Sequence, residues 1–182
     1  DAIVIAAGKT LQTGRDLTLS AENGSIRTEG ALSFKANRDI TLKGSITSDG
    51  PLEIIADFDE NAEGVFKVEN AGIVDGLGND ISIFAHDMTF DGSVETEGGT
   101  VYFSSNAGED MGIGETSKDF NLTRSDLRSV KAKDIVFGSD QAGDIYISGV
   151  TDFDLADISG EIFFEALKDG GEVKFIENDS SF

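Results

Sequence analysis

The stretch DFDENAEG sets Asp57, Asp59, Asn61 and Glu63 at alternate positions. That spacing of oxygen donors resembles the front half of a calcium loop, in which carboxylates and amide oxygens surround a hard cation. The Gly at the sixth place and the distal Glu of an EF-hand are missing, and an acidic turn ordinarily does no more than face water. Calcium is therefore a candidate cofactor resting on these four residues alone. A second acidic group, Asp152, Asp154 and Asp157 in TDFDLADISG, could supply paired carboxylates for glycoside hydrolysis, which needs them roughly 5 to 9.5 Å apart, with Arg124 as the basic partner. The single histidine, His86, stands beside Asp87 without a Gly-x-Ser-x-Gly nucleophile elbow anywhere in the chain, so no triad is assigned to it. GIG (113 in its centre) and GLGND lack the following helix and basic residue of a phosphate loop and read as turns. Asn121 in NLT formally fits a glycosylation acceptor.

Bulk properties remove whole classes of partner. The 182 residues carry 35 acidic against 14 basic side chains, a formal net charge of -21. Such a charge repels the phosphate backbone of nucleic acid and disfavours anionic lipid, and no apolar run approaches the roughly 20 residues of a membrane-spanning helix. Nucleic acid and membrane insertion are excluded on these grounds. The absence of cysteine excludes disulfides, thiolate zinc sites and cysteine nucleophiles. Twenty-two glycines beside one proline suit short strands joined by glycine turns. One domain spanning 1–182 is expected, and the opening DAIVIAAGKTL and the ending EVKFIENDSSF read as a segment of a larger protein.

The elements that must position these side chains repeat. A phrase of apolar, any, apolar, any, small residue begins at Ile3, Leu17, Leu32, Leu52, Ile81, Val101, Ile135 and Ile162. In a strand the first, third and fifth positions share a face. Aligned, the third positions are Ile5, Leu19, Phe34, Ile54, Ile83, Phe103, Phe137 and Phe164, and the fifth are Ala7, Ala21, Ala36, Ala56, Ala85, Ser105, Ser139 and Ala166. Columns of large and small residues are what stacked parallel strands need. Second strands such as DITLKGSI, MTFDGSV and DIYISGV follow most copies. The pattern predicts an all-β fold, a right-handed single-chain parallel β-helix (β-solenoid), against an antiparallel sandwich that would not align such columns. Two long loop insertions, at about 57–80 and 106–134, interrupt it. The second is expected to hold a short helix near 125–131, capped by Ser125 with Leu127 and Val130 on its apolar side.

With DLTLSAENGSIRTEGALSFKANRDITLKGSITSDG, DISIFAHDMTFDGSVETEGG and KDIVFGSDQAGDIYISG in hand, the chain resembles the β-helical repeat regions of large secreted bacterial exoproteins and adhesins of the filamentous haemagglutinin type. The resemblance implies an extracellular or cell-surface protein whose repeat region is a stalk and contact surface without catalysis. Its secretion domain has no match here. Partners would be host or matrix polysaccharide, protein, or neighbouring copies. A polysaccharide-processing enzyme on a similar fold is the second reading, although the Asn-Thr-Asp, Asp-Asp, Gly-His-Gly and Arg-Ile-Lys elements of polygalacturonase-like enzymes are all absent. A self-assembling surface sheath is the third. Outward positions turn apolar along the chain, at Ile55, Phe84, Tyr102, Val136 and Phe163. Either the insertions fold over this row, or Phe84, Tyr102 and Phe163 contact a partner.

Overall fold

The computed structural model describes residues 3–176 and 180–181, with the side chains of Glu22, Asn23 and Asn70 outside that description. In chain order the strands are β1 (Ile3–Ala6), β2 (Lys9–Thr13), β3 (Leu17–Glu29), β4 (Leu32–Ala36), β5 (Ile40–Ser48), β6 (Leu52–Ala56), β7 (Val65–Asp75), β8 (Ile81–Phe84), β9 (Asp87–Ser104), β10 (Met111–Gly114) and β11 (Phe120–Leu122). One helical turn, α1 (Arg124–Leu127), precedes β12 (Val130–Ser139), β13 (Ile145–Ser148), β14 (Ile162–Ala166) and β15 (Val173–Phe175). The protein is all-β, 58% strand and 2% helix. Every named strand pair is parallel, which rules out the antiparallel sandwich.

Three walls enclose one core. The first stacks β2, β4, β6, β8, the end of β9, the end of β12, and β14, in the register Leu11, Phe34, Ile54, Ile83, Phe103, Phe137, Phe164. The second stacks the starts of β3, β5, β7 and β9, aligning Leu19, Leu42, Val68 and Phe90. The third stacks β1 with later parts of β3, β5, β7, β9 and the start of β12, aligning Ile3, Ile26, Ile46, Val74, Val94 and Val130. Strands alternate buried and half-buried residues, as in β4 and β6, because only one face of each wall meets the core. Burying each Leu, Ile or Phe contributes roughly 1.5 to 3 kcal/mol. Phenylalanines touch in sequence from Phe66 through Phe90, Phe103, Phe137 and Phe164 to the exposed Phe175, with centroids 5.5 to 6.3 Å apart, a spacing that adds favourable ring contacts.

The corner between the second and third walls lies inside single strands, where the register shifts after Ser20, Lys43 and Val68. Glycine makes the corner feasible. A Cβ on Gly72 would stand 2.2 Å from the carbonyl oxygen of Gly44, and one on Gly92 would stand 2.1 Å from that of Gly72. Backbones stack so closely here that no side chain fits. Beyond this corner the core is polar in places: the Thr28 and Ser48 hydroxyls lie 2.7 Å apart, and Ser48 donates to the Gly50 carbonyl at 2.7 Å, which removes the cost of burying them.

The solenoid expectation is corrected by this arrangement. The chain does not form a long uniform coil carrying two loop insertions. Its larger sheet, of 11 strands, turns back through β9 and closes around the core as parallel barrel-like walls, and a separate sheet of four strands, in the order β11, β10, β13, β15, stands beside it. Both presumed insertions supply walls: β7 comes from the first, and β10, β11, α1 and the start of β12 from the second. Two assigned copies also sit elsewhere. Ile5 aligns with Thr28 on the third wall and Leu19 with Leu42 on the second, while Leu11 of KTLQT takes the place beside Phe34. The helix is Arg124–Leu127, capped by the Thr123 side chain rather than Ser125, and Val130 already belongs to β12.

Candidate functional site

The outward face of the first wall gathers the predicted contact residues. Outward positions follow the inward register, so Ser33, Glu53, Ser82, Tyr102, Val136 and Phe163 form one row, and Lys35, Ile55 and Phe84 a second beside it. Phe163 is 40% exposed, Phe84 and Tyr102 are half-buried, and Val136 between Tyr102 and Phe163 is buried. The face is not roofed by the first insertion, whose β7 lies in other walls. The loops after β6, β9 and β12 border it. The Phe58 ring of the loop after β6 has the Lys35 ammonium 5.1 Å from its centroid, and Lys35 also lies 3.2 Å from Glu53. Ile55, Phe58 and Phe84 line a groove of about 290 Å³ together with Glu53, Glu60, Asn106, Asp140 and Gln141.

The proposed calcium residues share one loop, with Asp57 buried and Asp59, Asn61 and Glu63 exposed. Asp57 is buried and accepts from the backbone N–H groups of Asn61 (3.0 Å), Ala62 (3.1 Å) and Glu63 (3.5 Å). Burial pushes its carboxyl above the ordinary value, the three N–H groups oppose that shift, and the charge of Glu109 adds to it. Asp59 is exposed and accepts from the amides of Asn37 and Asn61. Glu63 is also exposed. Among the described residues, no cluster of three histidine or carboxylate side chains is arranged to hold a metal. Positive φ at Asp57, Glu60 and Ala62 marks a loop shaped around the Asp57 carboxylate.

The second acidic group is likewise drawn into architecture. Asp154 is fully buried and accepts from Arg124 Nε (3.0 Å), Arg128 Nε (2.8 Å), and the Thr151 N–H and hydroxyl (both 2.9 Å). Burial alone would raise its pKa, but the Thr151 donors and the two guanidinium groups outweigh it and hold the carboxyl at about 2. Arg124 reaches Glu115 as well, at 2.9 Å. Asp152 and Asp157 are exposed. Asp154 fastens α1 to the loop after β13 and is fully committed to donors from its own chain.

His86 Nδ1 lies 2.9 Å from Glu109, whose other oxygen accepts from the Ser105 hydroxyl. Glutamate thus stands between serine and histidine, an order that cannot activate the hydroxyl through the imidazole. A further use of acids escaped the sequence reading. An aspartate directly before the apolar run of a wall accepts the N–H at the entrance to the run stacked on it in the next layer: Asp39 from Val65 (3.0 Å), Asp80 from Thr100 (2.9 Å), Asp110 from Asp144 (3.1 Å), Asp134 from Glu161 (2.8 Å) and Asp144 from Glu172 (3.0 Å). The signal was present as RDITL, NDISI, EDMGI, KDIVF and GDIYI. Lys133 and the Glu161 N–H hold the Asp134 carboxyl below its ordinary value, as Lys174 and the Glu172 N–H do for Asp144.

No helix of the described residues is long and apolar enough to cross a membrane. No protein-family model, curated protein or solved structure matches the chain.

Proposed function

We propose that the chain is a non-catalytic structural and adhesive segment of a large bacterial surface or secreted protein, in which stiff parallel walls hold a contact face at fixed spacing. One observation carries the reading: the carboxylates best placed for chemistry, Asp57 and Asp154, accept hydrogen bonds from their own chain, while Phe84, Tyr102 and Phe163 share the outward face of one wall. The bacterial and extracellular setting follows from the family resemblance. Partners are a polysaccharide or protein of host or matrix, engaged by several weak contacts that add through multivalency.

The test is incubation with a panel of polysaccharides and matrix proteins, scoring retention together with release of new reducing or unsaturated ends. Retention without new ends is expected. The double variant Tyr102→Ala/Phe163→Ala should weaken it by about tenfold, the effect of losing roughly 1.4 kcal/mol of aromatic contact. New ends on any substrate would overturn the reading in favour of a polysaccharide-processing enzyme.

A further inference from the structure

The groove between the Asp57 loop and the first wall has a consistent chemical character. Its floor is Ile55 and Phe84, its side is the half-open ring of Phe58, and its rim carries Glu60 and Asp140, exposed carboxylates that make no ion pair among the described residues. No lysine or arginine lines it. Asn106, which borders it, is nine-tenths buried. Its Nδ2 donates to the Asp57 carbonyl at 2.6 Å, and its Oδ1 is buried without a hydrogen-bond partner.

These groups share one property. Two rim carboxylates and the amide oxygen are all acceptors, and among the lining side chains the N–H donors free of a named partner are those of Gln141 and the second Nδ2 hydrogen of Asn106. A ligand that complements them must bring donors and positive charge. A neutral sugar carries as many acceptors as donors and would leave its own acceptors unmet. A guanidinium has five N–H donors and no acceptor, stacks on aromatic rings, and pairs with carboxylates. The chain supplies its own precedent: Lys35 places a cation both 5.1 Å from the Phe58 centroid and 3.2 Å from Glu53. The net charge of -21 draws cations towards the surface.

We infer that this groove binds an arginine side chain presented by a basic segment of a protein partner, with the guanidinium between Glu60 and Asp140 and its stem on Ile55 and Phe84. It rests on the proposed function only in placing the groove on the same contact face.

Calorimetric titration at about 150 mM salt, where long-range attraction is largely screened, tests it with a short capped Gly/Ser peptide bearing one arginine and the same peptide bearing citrulline. The arginine peptide should bind at one site, and the citrulline peptide at least about tenfold more weakly, since a charge-assisted pair is lost. Glu60→Gln/Asp140→Asn should weaken arginine binding by about tenfold or more, whereas Asp91→Asn/Asp152→Asn, which removes equal charge from exposed positions outside the groove, should change it by less than about twofold. Both pairs of sites are exposed, and an unchanged melting temperature establishes that each variant is folded. Equal losses in the two double variants, equal binding of citrulline, or no binding of the arginine peptide would overturn the inference. Retention of a panel partner without arginine binding would sink the groove assignment and leave the adhesive reading standing; arginine binding with no panel retention would do the reverse.

Discussion

Asp154 shows how a residue that invites a catalytic reading becomes structural. A carboxylate with no exposed surface survives as an anion only if its lone pairs are filled, and four donating groups from Thr151, Arg124 and Arg128 fill them. Its folded pKa of about 2 lies below the value of about 3.9 for an unfolded aspartate. The stabilisation is therefore fully present above about pH 4 and disappears as pH falls through about 2. Asp134 and Asp144, also lowered, act in the same direction, while Asp57, raised by burial, acts in the opposite one. Asp154→Asn is expected to cost about 2 to 3 kcal/mol near pH 7, the range for hydrogen bonds to a charged acceptor. Chemical denaturation from pH 7 down to pH 2 checks this. The gap between wild type and variant should hold to about pH 4 and then close; a gap independent of pH would show that packing and not charge sets the loss.

At the scale of elements, the corner glycines separate what a backbone needs from what a core needs. Gly72→Ala would drive a methyl to 2.2 Å from the Gly44 carbonyl oxygen, whereas Gly14→Ala meets nothing within 4 Å. The first should cost at least about 2 kcal/mol through a backbone clash, and the second should lie within about 0.5 kcal/mol of wild type; equal thermal unfolding of the two would mean that the corner yields. The same corner explains how far the elements were legible. Alternation and column matching located six of the seven strands of the first wall, from Phe34 to Phe164, because residues facing one core must agree in size with those above and below. Ile5 and Leu19 satisfied the same local rule while lying on other walls, and an apolar alternation carries no label for the wall it joins. Leu11 is illegible in the sequence because the other inward positions of its strand are Lys9 and Thr13, which break the apolar column. VFKVENAGIVD reads as a loop in the sequence because β7 passes the corner at Ala71–Gly72, where the register shifts between Val68 and Gly72 and the alternation breaks. That Phe84, Tyr102 and Phe163 face outward on the first wall followed from position alone. The groove did not, since Phe58, Glu60, Asn106 and Asp140 belong to loops whose approach to Ile55 and Phe84 only the fold determines.

For the whole molecule, parallel stacking gives the described residues two terminal layers, and their edges differ in chemistry. Among the described residues β1 and β2 pair on one side only, as do β14 and β15. An unpaired edge invites addition of another strand. At the first end, Lys9 aligns with buried Leu32 and so places a charge where the inward column calls for an apolar group, a common way to blunt an edge. The far end has no such charge in its inward column, where Ile162 and Phe164 follow Ile135 and Phe137. Exposed Phe163, Leu167, Phe175 and Ile176 surround it. The two ends are then nearly matched: with an apolar residue at position 9, the β2 column would continue the β14 column of another copy, large residue over large at Leu11 and Phe164. Such a contact is head to tail and does not close, so it grows into filaments. Lys9→Leu is accordingly expected to make association steeply concentration-dependent in sedimentation velocity, and adding Phe164→Lys should abolish it by placing a charge in the opposing edge. If Lys9→Leu sediments as wild type does at every concentration, the lysine is not what guards the edge, and the twist between end layers must already prevent them from pairing.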